Sequence, residues 1–310
     1  MAAAQGALAQ DDEVRPIAVV SKAAKHASAE DPRERRKALL RRARAGDAEA
    51  MLRLGDAYAG GAPGLKKSLS KAASWYRKAA QAGSAKAAHR LALLLLKGGE
   101  GVRRAPKVAA ALFLAAAKKG HVPSMHWLAY MLERGIGLPR DVAEARKWYE
   151  KAAEKGHVPA QVALGVMALT GQGMARDFER ARDYFSMAAE KRDGWALNNL
   201  GAMFEMGWGV LKDREKAVIY YELARERNNP AAVRNLVRLG ELPADVLQAV
   251  RPADIGENAG SAGPALSGRG AMEGRAGGAA AEPPARGDVA GEAARPVRKR
   301  VNFRPAMPKR

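Results

Sequence analysis

The chain has no cysteine, so histidines and carboxylates are the first candidates for catalysis or metal binding in this sequence. That absence excludes thiol nucleophiles, zinc-thiolate sites and disulfides. His89 and His126 occupy sites 37 residues apart, and His121 and His157 share a Gly-His-Val-Pro context 36 residues apart. Helices at such equivalent sites pack about 10 Å apart, too far for His89 and His126 to share a metal ion. We expect helix capping or partner contacts from these histidines, and no metal site.

Glycine pairs such as Gly135 and Gly137 resemble parts of a phosphate-binding loop. None of them follows a strand pattern, and none continues into a third glycine or a Gly-Lys-Ser/Thr sequence. No Ser/His/Asp set and no pair of carboxylates stands out either. The sequence therefore predicts no catalytic residue, no cofactor and no small-molecule substrate.

These positions recur because the chain is built from repeated units. A leucine followed by a small residue returns every 36 or 37 residues, at Leu54, Leu91, Leu128, Leu164 and Leu200. Each unit continues with a glycine turn and a second apolar face that carries a pair of large side chains, such as Trp148-Tyr149. The pattern predicts two amphipathic helices joined by a glycine turn. In the second helices we expect Trp75, Trp148 and Tyr184 to lie in the core, in the seam against the first helix.

The run LGxxYxxGxGVxxDxxKAxxWYxKAAxxG resembles the Sel-one-like repeat, a relative of the tetratricopeptide repeat. The match extends from residue 47 to about 229, with Leu54-Gly55 and Tyr58 near its start and Tyr220-Tyr221 near its end. It implies an all-α fold, a right-handed α-solenoid of five αα-hairpin repeats with capping helices and disordered tails. It also implies a non-catalytic protein–protein interaction scaffold or regulatory adaptor that binds a protein or peptide in its concave groove.

The predicted domain order has a tail or a cap on each side of the repeats. It runs through a disordered or signal-remnant segment (1–30), an N-terminal capping helix (31–46), five repeats (47–83, 84–120, 121–156, 157–193, 194–229), a C-terminal capping helix (230–250) and a disordered basic tail (251–310). Asp31-Pro32 followed by Glu34 is a strong start for the first cap.

The compartment depends on how the N-terminus is interpreted. The chain as written has no apolar signal segment and no stretch of transmembrane length, so we expect a cytoplasmic protein. Ala7-Leu8-Ala9 resembles the end of a signal peptide. If the true start lies upstream of Met1, the protein would be periplasmic or secreted.

The resemblance places the first helices along the concave face, and their register selects the partner-binding residues. These are Asp56, His89, His126, Tyr130, Glu133, Arg134, Trp195 and Asn198. A tyrosine or tryptophan offers a large, semi-rigid contact, an arginine a fork for a carboxylate, and an asparagine paired bonds to a peptide backbone. The alternative is that these side chains lie on a solvated helix face or pack on a neighbouring turn.

A second function is suggested by the net charge of +20. Residues 295–310 carry seven basic and no acidic side chains, among them Arg298, Lys299, Arg300 and Arg304. The basic repeats and this tail could contact nucleic acid or an anionic membrane weakly. Aromatic residues do not alternate with the cations outside Phe303, which argues against nucleic-acid binding.

Overall fold

The computed structural model describes residues 32–249 of the chain. This part folds into twelve α-helices and a final 3-10 helix, and it contains no strand. The helices are α1 (Pro32–Arg44), α2 (Ala48–Gly60), α3 (Leu69–Gln81), α4 (Ala85–Lys97), α5 (Pro106–Lys118), α6 (Val122–Arg134), α7 (Val142–Glu154), α8 (Val158–Thr170), α9 (Phe178–Glu190), α10 (Gly194–Met206), α11 (Arg214–Arg225) and α12 (Pro230–Arg238), followed by the 3-10 helix (Ala244–Ala249). Consecutive helices pack on each other along the whole described chain.

Short polar side chains begin most of the helices. Asp47 accepts hydrogen bonds from the backbone N–H groups of Glu49 and Ala50, which the helix itself leaves unpaired. The N-caps of seven other helices make equivalent bonds, namely Ser68, Ser84, Asp141, Asp177, Asp193, Asp213 and Asn229. Glycine ends the first helix of a repeat, as at Gly171, whose φ of 74° is left-handed. The sequence therefore marks the glycine turn of every repeat and the start of most of its helices.

Within each repeat, a buried aromatic ring of the second helix packs against a small residue of the first. A Cβ at Gly201 would lie 2.8 Å from Cδ1 of Tyr221, so glycine lets the two helices approach closely. The more deeply buried residue of the large pair is always the second, at Tyr76, Phe113, Tyr149, Phe185 and Tyr221. The prediction for the first residue is only partly right, since Trp148 is buried but Trp75 and Tyr184 are half-buried. Adjacent helix positions point about 100° apart, and this turns the first residue away from the seam.

The predicted all-α repeat fold is confirmed over the described residues. A helix precedes the first repeat (Pro32–Arg44), and a first helix without a second-helix partner follows the fifth (Pro230–Arg238). No helix in the described part is long and apolar enough to cross a bilayer. The predictions for residues 1–30 and for the tail, including Arg298, Lys299, Arg300 and Arg304, lie outside the described residues.

Candidate functional site

Asp56, predicted to contact a partner, is engaged within the fold. Tyr76 of the same repeat donates its hydroxyl to Asp56 Oδ1 at 2.7 Å. Arg90 of the next repeat lies 3.7 Å from the same oxygen. Burial, followed by the hydrogen bond to Asp56, raises the pKa of Tyr76 far above its usual value, so the hydroxyl stays a donor. Asp56 thus ties the seam of the first repeat to the second.

Glu133 repeats this arrangement in the third repeat. Tyr149, which is 1% exposed, donates its hydroxyl to Glu133 Oε2 at 2.9 Å. Gln172, in the turn of the fourth repeat, donates to the other carboxylate oxygen at 3.2 Å. The carboxylate again joins its own repeat to the next one.

Glu205 supplies a third example, in the fifth repeat. It accepts a hydrogen bond from Tyr221 at 2.8 Å and pairs with Arg238 of α12 at 2.7 Å. Burial alone would raise the pKa of Glu205, but the bonds from Arg238 and Tyr221 lower it overall. The three carboxylates are links between repeats.

The two repeats without such a carboxylate have no hydroxyl to satisfy. Phe113 and Phe185 replace the buried tyrosine in the second and fourth repeats, and Leu96 and Leu169 stand where Glu133 and Glu205 stand in the third and fifth. In the first repeat that position is Ala59, and the acceptor is Asp56, three positions earlier. A buried hydroxyl needs an acceptor, so the chain carries either both polar groups or neither. This pairing was visible in the sequence and could have identified Glu133 as structural.

Asn198 and His126, which were expected to face a partner, are buried instead. Asn198 is fully buried, and its side-chain oxygen accepts a bond from Asn235 of α12 at 3.0 Å. His126 is 4% exposed, and its ring lies 5.5 Å from that of Tyr149. First helices of successive repeats cover each other's side chains at this position, which the pattern of one repeat cannot reveal.

The other predicted residues remain partly accessible. Tyr130 is half-buried, and the guanidinium of the exposed Arg134 lies over its ring at 5.8 Å. Trp195 is half-buried against the core of the last two repeats. His89 is half-buried too, with its ring 5.4 Å from that of Phe113. Partner binding by these four side chains stays a prediction.

The histidines pair across two successive repeat junctions. The rings of His89 and His121 lie 4.8 Å apart, and those of His126 and His157 lie 5.1 Å apart. Ser124 Oγ lies 2.9 Å from His89 Nδ1 and 2.8 Å from His121 Nδ1. One hydroxyl proton can serve only one of these rings, so the other ring must donate its own N–H to the oxygen. The register of the repeats did not predict these pairs, because each joins two different positions.

Burial lowers the pKa values of three histidines in this cluster, and repulsion from neighbouring positive charges, including the other histidines, lowers them further. The pKa of His89 falls to about 4, and the pKa values of His121 and His157 are also lowered. The positive charge of Arg90 contributes to lowering the pKa of both His89 and His121, and that of Lys86 to lowering the pKa of His121. His121 and His157 stand at N-caps but make no side-chain capping bond, so the capping expectation is wrong. Within residues 32–249, no three His, Asp or Glu side chains are placed to hold a metal ion.

A groove opens between α3, α4 and α5, at the junction of the first two repeats. It encloses about 300 Å³ and is lined mainly by alanine and leucine side chains. Arg77 and Lys119 lie at its polar rim, together with Gln81 and Ser84. We call it the junction groove. The sequence analysis did not find it, since it arises from small side chains at positions where other repeats have large ones.

Comparison with known proteins identifies a family for this chain but no specific partner. The Sel1 repeat family model matches residues 48–84, 85–121, 122–157, 158–193 and 196–229, more than half of the chain. The chain belongs to the Sel1 repeat family. Sel1 repeat proteins generally serve as protein-interaction scaffolds. No curated protein matched the chain.

Two solved structures agree with the Sel1 repeat assignment. A Sel1 repeat protein from Oxalobacter formigenes is 31% identical with a TM-score of 0.60, covering 68% of this chain and 88% of its own. The protective antigen c5321 of uropathogenic Escherichia coli is 28% identical, also with a TM-score of 0.60. That match covers 70% of this chain but only 45% of c5321, so c5321 is considerably longer than the shared region.

Proposed function

We propose that this Sel1 repeat protein is a non-catalytic scaffold or regulatory adaptor that binds an acidic protein through its N-terminal half. The uneven distribution of charge carries the proposal. Residues 32–120, which we call the basic segment, contain 21 Lys and Arg side chains against five Asp and Glu. Residues 121–249 contain 18 against 17. A surface with one strongly basic end attracts an acidic partner and orients it during association.

The carboxylates of the first helices support a non-catalytic role. Asp56, Glu133 and Glu205 each accept a hydrogen bond from a tyrosine hydroxyl. Asp56 and Glu133 also contact the next repeat, and Glu205 contacts α12. They therefore stabilise the stack and are not poised as free acids or bases. Tyr130 and Arg134 lie in the third repeat, beyond the basic segment, and their contact with a partner stays a prediction.

Aromatic rings near the cations favour a protein over a nucleic acid as the partner. Lys78 lies over the ring of Trp75 at 4.8 Å, and Lys151 lies over Trp148 at 4.3 Å. These ring faces are covered, whereas single-stranded nucleic acids need open rings on which bases stack. Contact of the basic tail with nucleic acid or anionic lipid, and the cytoplasmic location, remain predictions.

Affinity capture from the native host, with and without nuclease, tests the proposed function. We expect a protein of net negative charge to be retained after nuclease treatment and released as salt rises. A variant with Lys66→Glu, Lys67→Glu and Arg104→Glu, all exposed cations of the basic segment, should retain much less of it. Capture of only nucleic acid, or equal capture by this variant, would contradict the proposal.

A further inference from the structure

The junction groove coincides with three positions at which the second repeat carries a smaller side chain than the other four repeats. The first is Ala88 of α4, three positions before the repeated leucine. The same position holds Met51, Met125, Gln161 and Leu197 in the other four repeats, and all four are buried there. At the first-to-second junction, therefore, a long side chain is missing from the floor.

The second and third small residues lie on α5. Leu112 stands where the other repeats have Trp75, Trp148, Tyr184 and Tyr220, so one aromatic ring is absent from the wall. Ala115 stands where the other repeats have Lys78, Lys151, Met187 and Leu223, which leaves the opening uncovered. Val108, on the same helix, is 51% exposed at the groove's edge.

The groove lies within the basic segment, and positively charged side chains border its apolar opening. Arg77 and Lys119 line the groove directly. The two repeats that form it carry fourteen Lys and Arg side chains against four Asp and Glu. A ligand with an apolar anchor and flanking carboxylates would satisfy both the empty apolar volume and the cationic rim.

We propose that the junction groove binds an acidic segment of the partner protein through one aromatic side chain, inserted where the other repeats supply their own. The proposal rests on the proposed function and names its docking site. The anchor ring packs on Leu91 and Leu112, and the carboxylates beside it pair with Arg77 and Lys119. The chain's own C-terminal segment is a poor occupant, because its one aromatic residue, Phe303, lies among cations.

The decisive variant fills the groove with the residues of the third repeat, Ala88→Met with Leu112→Trp, after Met125 and Trp148. Random peptides displayed on phage are selected on the wild-type protein and then measured by fluorescence polarisation. We expect selected peptides to share one aromatic residue flanked by Asp or Glu. Filling should weaken their binding by about tenfold or more, the loss of one buried anchor. Thermal unfolding should stay at or above the wild-type midpoint.

Two charge variants keep the proposal testable even if the filled protein misfolds. Arg77→Glu, at the rim, should weaken peptide binding several-fold. Lys155→Glu, at the third-repeat position equivalent to Lys119, makes the same change in net charge and should leave binding unaltered.

Three results would overturn the docking site. One is equal binding by the wild-type and filled proteins, and another is selection of peptides that lack an aromatic residue or carry net positive charge. The third is a wild-type dimer that filling dissociates, since the occupant would then be a second copy. If the filled variant still captures the acidic host protein, the proposed function stands and only the groove assignment fails.

Discussion

The pairing of Tyr149 with Glu133 gives a sharp test of how the Sel1 repeats are joined. Tyr149 is 1% exposed and donates to Glu133 at 2.9 Å. Glu133→Leu leaves the buried hydroxyl without an acceptor, which should cost about 1–3 kcal/mol of stability. Tyr149→Phe removes a hydrogen bond to a charged group, worth about 1.5–3 kcal/mol. The lower end is expected, because Glu133 is half-buried and keeps Gln172.

The double variant Glu133→Leu with Tyr149→Phe should lose less stability than either single variant. It recreates the combination of Leu96 with Phe113, which the second repeat already uses. We expect it within about 1 kcal/mol of the wild type, and hence a coupling free energy of about 1–3 kcal/mol between the two sites. Matched shapes without polar groups can replace a satisfied pair at little cost.

Hydrogen exchange of amides in α6 and α7 is the most direct assay, since repeat arrays can unfold in parts and the exchange of these amides reports the opening of this repeat itself. Glu154→Leu, an exposed carboxylate of α7, is the control and should change little. If the two single effects simply add in the double variant, the reasoning about paired polar groups is refuted.

Three further predictions concern the histidine cluster and the buried amides. Lowering the pH from 7.5 to 5 should reduce the thermal midpoint. The folded protein holds the pKa values of His89, His121 and His157 below the unfolded value of about 6.5, so protonation favours the unfolded chain as the pH falls below that value. His89→Leu with His121→Ser should flatten this pH dependence, and an equally steep profile would argue against the histidine cluster as its cause. His157→Asp should raise stability at pH 7 by about 0.5–2 kcal/mol, because aspartate caps the equivalent helix of the fifth repeat; urea unfolding that shows a loss would contradict this. Asn198→Ala should destabilise the last repeat by about 1–3 kcal/mol through the orphaned amide of Asn235 and leave partner affinity unchanged, whereas weaker binding without destabilisation would return Asn198 to the interface.

The sequence was sufficient to predict the helical hairpins, because the residues that specify each hairpin lie close together in the chain. A leucine with a small neighbour, a glycine turn and an N-cap such as Asp141 each fix one part of one repeat. Five copies in register left little freedom in the helix boundaries. Even the choice between Tyr149 with Glu133 and Phe113 with Leu96 can be read by comparing repeats.

The contacts between repeats were much harder to predict. Asn198 was expected on an open face because the register of related repeats places its position there, but the neighbouring first helix covers it. The distance between His89 and His121 depends on how one repeat is rotated against the next. The junction groove likewise depends on what is missing at Ala88 and Leu112, and a missing side chain leaves no motif.

Zero-length carbodiimide cross-linking of the captured complex tests the proposed function most directly, because it joins lysines only to carboxylates in contact with them. The described chain offers lysines in both halves, such as Lys66, Lys78 and Lys119 in the basic segment and Lys147, Lys191 and Lys212 beyond it. We predict that partner carboxylates are joined to lysines of residues 32–120, including Lys119 at the junction groove. Cross-links confined to lysines of residues 121–249 would contradict the account.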